Sequence, residues 1–228
     1  MNEHQSATWN NTAVVIPAYE ASRHLSSLFE RLGRVCGLER VYVVDDGSVD
    51  DTAELCKRAG VRLLRHAANR GKGAALRTGL SQALTDGWEW GLTLDADLQH
   101  EPESMPRFLA EQRRSGTDLV YGRRCFSRRL MPWPRIASNR LTSLLVSIAC
   151  RRRVYDSQCG FRLYRLNRLR FAELRTERYQ FETEALFMVA RGGGRLSFTN
   201  VRTVYGNEKS HIRHMRDIKN FVRILLHA

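Results

Sequence analysis

Acidic residues are in short supply in this 228-residue chain: 24 Asp and Glu stand against 37 Lys and Arg, a formal net charge of +13. An excess of that size calls for an anionic partner, whether nucleic acid, an acidic membrane face or phosphorylated substrates. Glycine (16) and proline (5) are sparse, which excludes collagen-like and low-complexity chains. A hydrophobic share of 43% excludes a wholly disordered one. The five cysteines (Cys36, Cys56, Cys125, Cys150, Cys159) form no close pair with metal or redox spacing. They read as buried small hydrophobes in a reducing compartment. Long apolar runs are lacking too, since residues 141–150 make about half of the roughly 20 residues a spanning helix needs. Residues 1–11 are polar and do not read as a signal peptide. What remains is a soluble or peripheral cytoplasmic protein with one domain, long enough to bury a core.

What is present is strand–helix alternation. Residues 13–16 and 41–44 are short β-branched apolar runs that read as buried strands, and residues 61–64, 91–94 and 118–121 repeat the signal. Between them, Leu25, Leu28, Phe29 and Leu32 fall at helical spacing, with Ser22 as N-cap and Gly33 as stop. Ser48 is placed to cap a second helix, with Asp50 and Asp51 at its positive end. Leu76, Leu80, Ala83 and Leu84 mark one face of a third helix, and helices are expected over 103–114 and around 181–190. Such alternation is the sign of an α/β fold with a mostly parallel sheet flanked by helices. Ligands of such sheets bind beyond the carboxyl ends of the strands. The unusual residues sit there: 17–19, 45–48 and 95–99.

Asp95 and Asp97, two apart on an extended segment, would point the same way. Two carboxylates at a strand end, with Gln99 as a neutral oxygen, suit Mg²⁺ or Mn²⁺ that also holds substrate phosphates. Asp45 and Asp46 face opposite sides of a strand, so only one can enter a cleft; a plain helix-capping turn explains them equally well. Asn69, Gly71, Lys72 and Gly73 could cradle a phosphate before a helix, although the loop lacks P-loop spacing and also fits an ordinary glycine turn.

Taken together, the runs Val15-Ile16-Pro17-Ala18-Tyr19, Val44-Asp45-Asp46-Gly47-Ser48, Asn69 to Gly73, Asp95-Ala96-Asp97-Leu98-Gln99-His100, Asp156 with Gly160-Phe161-Arg162-Leu163-Tyr164-Arg165, and Phe181-Glu182-Thr183-Glu184 resemble glycosyltransferase family 2. The likeness is to the dolichyl-phosphate mannose synthase and polyprenyl-phosphate branch, and it spans residues 12–211. It implies a Rossmann-like GT-A domain over 12–210, with a polar tail (1–11) before it and a basic amphipathic helix (211–228) after it. It also implies a nucleotide-sugar donor held by Pro17, Ala18, Tyr19, Val44, Asp46, Lys72, Asp95 and Ala96. Asp95, Asp97 and Gln99 would carry the metal, Asp97 would act at the reacting centre, and Arg124 would meet phosphate. The branch usually has Asn-Glu after the tyrosine, whereas this chain has Glu20-Ala21, so the second carboxylate is lost or moved to Glu20. Lys209 and Arg213 are the candidate donor-binding cations of the tail.

The resemblance implies an inverting transferase that moves a hexose from a GDP- or UDP-sugar to a lipid phosphate. An ionised phosphate acceptor needs no base, but it does need cations, which rationalises Arg123, Arg124, Arg128, Arg129 and Arg135. A hydroxyl acceptor, on a lipid or saccharide, would instead need Glu182 or Glu184 as base. Membrane contact is expected of Ile212, Met215, Ile218, Val222 and Leu225 among basic residues. Residues 141–148 before Arg151, Arg152 and Arg153 are a second candidate. That places the protein peripherally on the cytoplasmic side of the inner membrane, alone or with a membrane-protein partner. Nucleic acid is set aside, because the basic residues are not interleaved with aromatics.

Overall fold

The computed structural model describes residues 6–124, 133–176, 178 and 180–202. Seven strands form one sheet: β1 (Thr12–Ala18), β2 (Val41–Asp45), β3 (Arg62–Arg65), β4 (Trp90–Thr93), β5 (Leu119–Arg124), β6 (Arg162–Arg165) and β7 (Leu196–Val201). Their order is β3-β2-β1-β4-β6-β5-β7. Every pairing is parallel except those of β6, which runs antiparallel to both β4 and β5. Helices α1 (Ser22–Val35), α2 (Thr52–Ala59), α3 (Lys72–Thr85), α4 (Met105–Ser115), α5 (Trp133–Cys150) and α6 (Phe181–Arg191) cover its faces.

β2 is buried along its whole length and β1 at every residue but Pro17, as expected of runs covered on both faces. On one face Leu25, Leu28, Phe29 and Leu32 of α1 meet Val14, Ile16 and Val43. On the other, Leu76, Leu80 and Ala83 of α3 meet Ala13 and Val15. Leu84, expected on the same face, sits at its edge and is exposed. The chain runs outward from β1 through β2 to β3, then returns to place β4 on the opposite side of β1. That reversal opens a crevice at the carboxyl ends of β1 and β4, which positions everything that follows.

The helix starts differ from the sequence expectation for one reason. Because β1 and β2 are neighbours, the loops after them touch. The amides of Glu20, Ala21 and Ser22 donate to Ser48 Oγ (2.9 Å), Thr52 Oγ1 (2.9 Å) and Asp50 Oδ2 (3.1 Å). Ser22 therefore does not cap α1, and Ser48 does not cap α2; the loop after β2 caps α1 from outside. Gly33 does not stop α1, which continues to Val35 before Gly37 turns the chain at φ 80°. Within the expected polar tail, Ala7 is fully buried, with its amide on Gln112 Oε1 at 2.8 Å. Cys36, Cys56 and Cys159 are buried free thiols. The expected helix over 211–228, Lys209, Arg213, Cys125, Arg128, Arg129 and the side chain of Arg135 lie outside the described residues.

Candidate active site

The crevice is organised by a three-charge cluster in which Glu182 is buried and Lys72 and Asp95 are partly exposed. Lys72, first residue of α3, places its ammonium 2.7 Å from Asp95 Oδ1 and 3.0 Å from Glu182 Oε1. Asp95 follows β4 and Glu182 lies in the first turn of α6, so three elements converge. Burial works against the Lys72 charge, but the two carboxylates outweigh it and hold the ammonium above its usual range. In return, Lys72 overcomes the burial of Asp95 and holds that carboxyl below its ordinary value. Glu182 Oε2 is buried without a hydrogen-bond partner among the described residues.

Gly160 supplies the room. A Cβ there would stand 2.8 Å from Lys72 Nζ, 3.2 Å from Asp95 Oδ2 and 3.3 Å from Glu182 Oε1. Gly160→Ala is therefore expected to fold, with the melting temperature lowered by a few degrees. It should displace the ammonium and reduce turnover by about 10²-fold, the scale of an ångström's misplacement at a reacting centre. Initial rates alongside thermal denaturation check this.

Asp46 and Asp45 do diverge, and both are engaged by protein. Asp46 accepts the amides of Arg70 (3.0 Å) and Gly71 (2.7 Å), with His66 Nδ1 at 2.6 Å. Gly71, at φ 100°, then starts α3. Asp46 thereby fixes the loop that delivers Lys72. Asp45 accepts the Ser48 amide (2.9 Å) and pairs with Arg65 (3.1 Å). Pro17 is partly exposed, Ala18 is buried, and Tyr19 is 49% exposed at the crevice rim. Glu20 takes a left-handed φ of 49° beside it. Val44 is fully enclosed and Ala96 nearly so, so their side chains pack the interior rather than face a ligand.

Residues 96–97 form a turn, not an extended segment, and Asp97 Oδ1 accepts the Gln99 amide at 3.0 Å. The same-face argument for Asp95 and Asp97 therefore fails, although both remain beyond the end of β4. Their carboxylates and the Gln99 amide are hard oxygen donors, which fit Mg²⁺ or Mn²⁺. No group of three or more His, Cys, Asp or Glu among the described residues converges to hold a metal. A cation here would draw its remaining ligands from phosphate and water. His100 closes the floor, with its ring 5.4 Å from Phe161 and its pKa pushed down to about 4 by burial, so it is neutral.

Glu182 and Glu184 part company. Glu182 faces the cluster, whereas Glu184 accepts the amides of Arg175 and Thr176, both at 2.9 Å. Glu184 holds a loop and is not brought to the site. Arg124, expected to meet phosphate, makes a forked pair with the fully buried Asp156 at 2.8 and 2.9 Å. It forms one wall of a neighbouring cavity of about 1040 Å³, lined also by Arg123, Arg140, Arg151, Arg152, Arg153 and Tyr155. Sequence reasoning gave Arg140, Tyr155 and Gly160 no part in the site. The first two are distant in the chain, and Gly160 acts through the space it leaves.

The Glycosyl transferase family 2 profile matches residues 13–170. The chain belongs to that family. That membership and the relatives named below make it a glycosyltransferase. It is 31% identical over 193 residues to the undecaprenyl-phosphate mannosyltransferase of Micrococcus luteus, covering 80% of this chain and 79% of that one. To the UDP-N-acetylglucosamine–dolichyl-phosphate N-acetylglucosaminyltransferase of Methanococcus voltae it is 26% identical, over 93% of this chain and 94% of the relative. Among solved structures, glucosyl-3-phosphoglycerate synthase of Mycobacterium tuberculosis, bound to Mn²⁺ and UDP-glucose, superposes with a TM-score of 0.66 at 19% identity. That match covers 96% of this chain and 80% of the other, and it speaks for the fold.

Proposed function

We propose that this family 2 glycosyltransferase moves a hexose from a GDP- or UDP-sugar to a polyprenyl phosphate at the cytoplasmic face of the membrane, inverting the anomeric centre. The observation that carries the reading is the adjacency of two sites of opposite character. The Lys72–Asp95–Glu182 cluster lies in the crevice, and beyond the Arg124–Asp156 pair opens a cavity lined by arginines together with Leu144 and Ile148. A phosphate on a hydrocarbon chain matches that lining, and the relatives' acceptors are of this kind.

In the reaction the bond from the sugar's C1 to the donor diphosphate breaks, and an acceptor phosphate oxygen bonds to C1. The nucleoside diphosphate leaves. Asp95, Asp97 and Gln99 would hold Mg²⁺ or Mn²⁺, which supplies charge neutralisation at the diphosphate. Pro17, Tyr19 and the loop fixed by Asp46 would seat the nucleoside. Glu182 presents negative charge where the sugar becomes positive. No proton has to be removed from an ionised phosphate, so Glu182 need not act as a base. Arg124, fixed by Asp156, would offset the repulsion between two approaching anions.

The test is thermal denaturation with GDP- and UDP-hexoses, each with and without Mn²⁺, followed by transfer to undecaprenyl phosphate. A donor at about 100 times its dissociation constant should stabilise the fold by about 2.7 kcal/mol. Asp97→Asn should remove the part of that gain that depends on Mn²⁺. Transfer to saccharide hydroxyls but not to the lipid phosphate would overturn the acceptor assignment.

A further inference from the structure

Arg162 is a fully enclosed cation to which the proposed reaction gives no part. It opens β6, opposite Thr93 of β4 and Tyr121 of β5. Strand alternation puts it with Tyr164 on the face that α6 covers. Among the described residues it makes no ion pair. An apolar side chain would fill the same space at less cost, because a buried guanidinium gives up its hydration. What the guanidinium does instead is grip three main-chain carbonyls, one from each nitrogen. Nε donates to Cys159 (2.8 Å), Nη1 to Glu182 (2.5 Å) and Nη2 to Ser157 (2.7 Å).

Those carbonyls belong to different parts of the site. Ser157 follows Asp156, the anchor of Arg124 on the acceptor side. Cys159 precedes Gly160, whose carbonyl accepts from Thr93 Oγ1 at 2.7 Å and whose missing side chain leaves room for Lys72 and Asp95. Glu182 supplies the second carboxylate of the cluster. Lys72 therefore holds the Glu182 side chain while Arg162 holds its main chain, so the residue is fixed at both ends. A guanidinium is planar, and its donors point in set directions. It consequently dictates how the segment 157–160 sits against the first turn of α6, which a freely rotating ammonium would not.

We propose that Arg162 is a positioning residue of the transfer reaction. By pinning the Glu182 carbonyl to the carbonyls of Ser157 and Cys159, it aims the Glu182 carboxylate at the sugar and keeps it in register with Arg124. Arg162 itself touches no substrate. The inference rests on the part given to Glu182 under the proposed function, and the test is built to tell the two apart.

That test is a double-mutant cycle of R162K and E182Q, read by steady-state transfer to undecaprenyl phosphate. R162K keeps the charge and loses the fork. It should lower kcat by about 10²-fold, with both KM values within about threefold of the wild type. The rise in melting temperature caused by the nucleotide sugar should be unchanged. In an E182Q background the same substitution should cost less than about threefold, because the group it places is already gone. Raised KM values with kcat intact overturn the proposal. A slow E182Q with costs that multiply across the cycle overturns it alone, whereas E182Q at wild-type turnover overturns the Glu182 step of the proposed function as well. If R162K does not fold, hydrogen exchange of the wild type in rising denaturant decides. Segments 157–160 and 181–184 should open in one step, and opening at separate denaturant concentrations overturns the proposal.

Discussion

Lys72→Met is expected to lower the melting temperature by about 10 °C and turnover by at least about 10³-fold. The substitution keeps length and apolar bulk but leaves the buried Glu182 and the partly exposed Asp95 without their shared cation. Stranding buried charge in this way costs about 3–5 kcal/mol, and each kcal/mol shifts the melting point of a chain this size by about 2–4 °C. The pH dependence should change with it. In the wild type Lys72 holds the Asp95 carboxyl below its ordinary value, and the variant loses that contribution. A depressed carboxylate stabilises above its unfolded value and ceases to as pH falls, so the variant should lie further below wild type at pH 8 than at pH 3. Adding Glu182→Gln removes one stranded charge and should return much of the stability while turnover stays low. Calorimetry at the two pH values and initial rates check both halves; an unchanged melting point at pH 8 would refute the cluster.

Asp156→Ala should be comparably severe for folding and more informative about the acceptor side. Asp156 accepts from Arg124 through Nε and Nη2, from Asn139, and from the Gln158 amide. Arg124 outweighs the effect of burial and keeps the Asp156 carboxyl below its ordinary value. A depressed carboxylate contributes stability above its unfolded value, near 3.9, and loses it as pH falls. The expected loss of about 3–5 kcal/mol should therefore be complete at neutral pH and shrink below about pH 4. Because Arg124 loses its anchor, the KM for lipid phosphate should rise more than the KM for the donor. Denaturation from pH 3 to 7 and steady-state kinetics with each substrate varied would measure this.

Much of this arrangement is legible before any coordinates are seen. The apolar runs 13–16 in β1 and 41–44 in β2 announce buried parallel strands, and Asp46, Lys72 and Asp95 mark the ends where a crevice must lie. The family resemblance supplied the order of the pieces. What stayed hidden depends on contacts distant in sequence. β6 reads poorly as a strand because Arg162 sits in it, yet Arg162 is fully buried, with its guanidinium on the carbonyls of Ser157, Cys159 and Glu182. Among the described residues β7 pairs only with β5, and it is largely half-buried, so its pattern is weak. Residues two apart on a helix cannot face the same way, so the sequence could already divide Glu182 from Glu184. Which of them faces the crevice is decided by how α6 packs.

The outside capping of α1 ties the loops after β1 and β2 together. Ser48 and Thr52 hold the amides of Glu20 and Ala21 just beyond Tyr19, and Asp50 holds that of Ser22, the first of α1, while Asp45 and Arg65 hold Ser48 in turn. Neither rim can swing aside alone, since lifting the segment after β2 strips three amides of their acceptors. Under the proposed function, the pocket for the donor's base is a preset jaw, and entry of the donor has to be accommodated elsewhere.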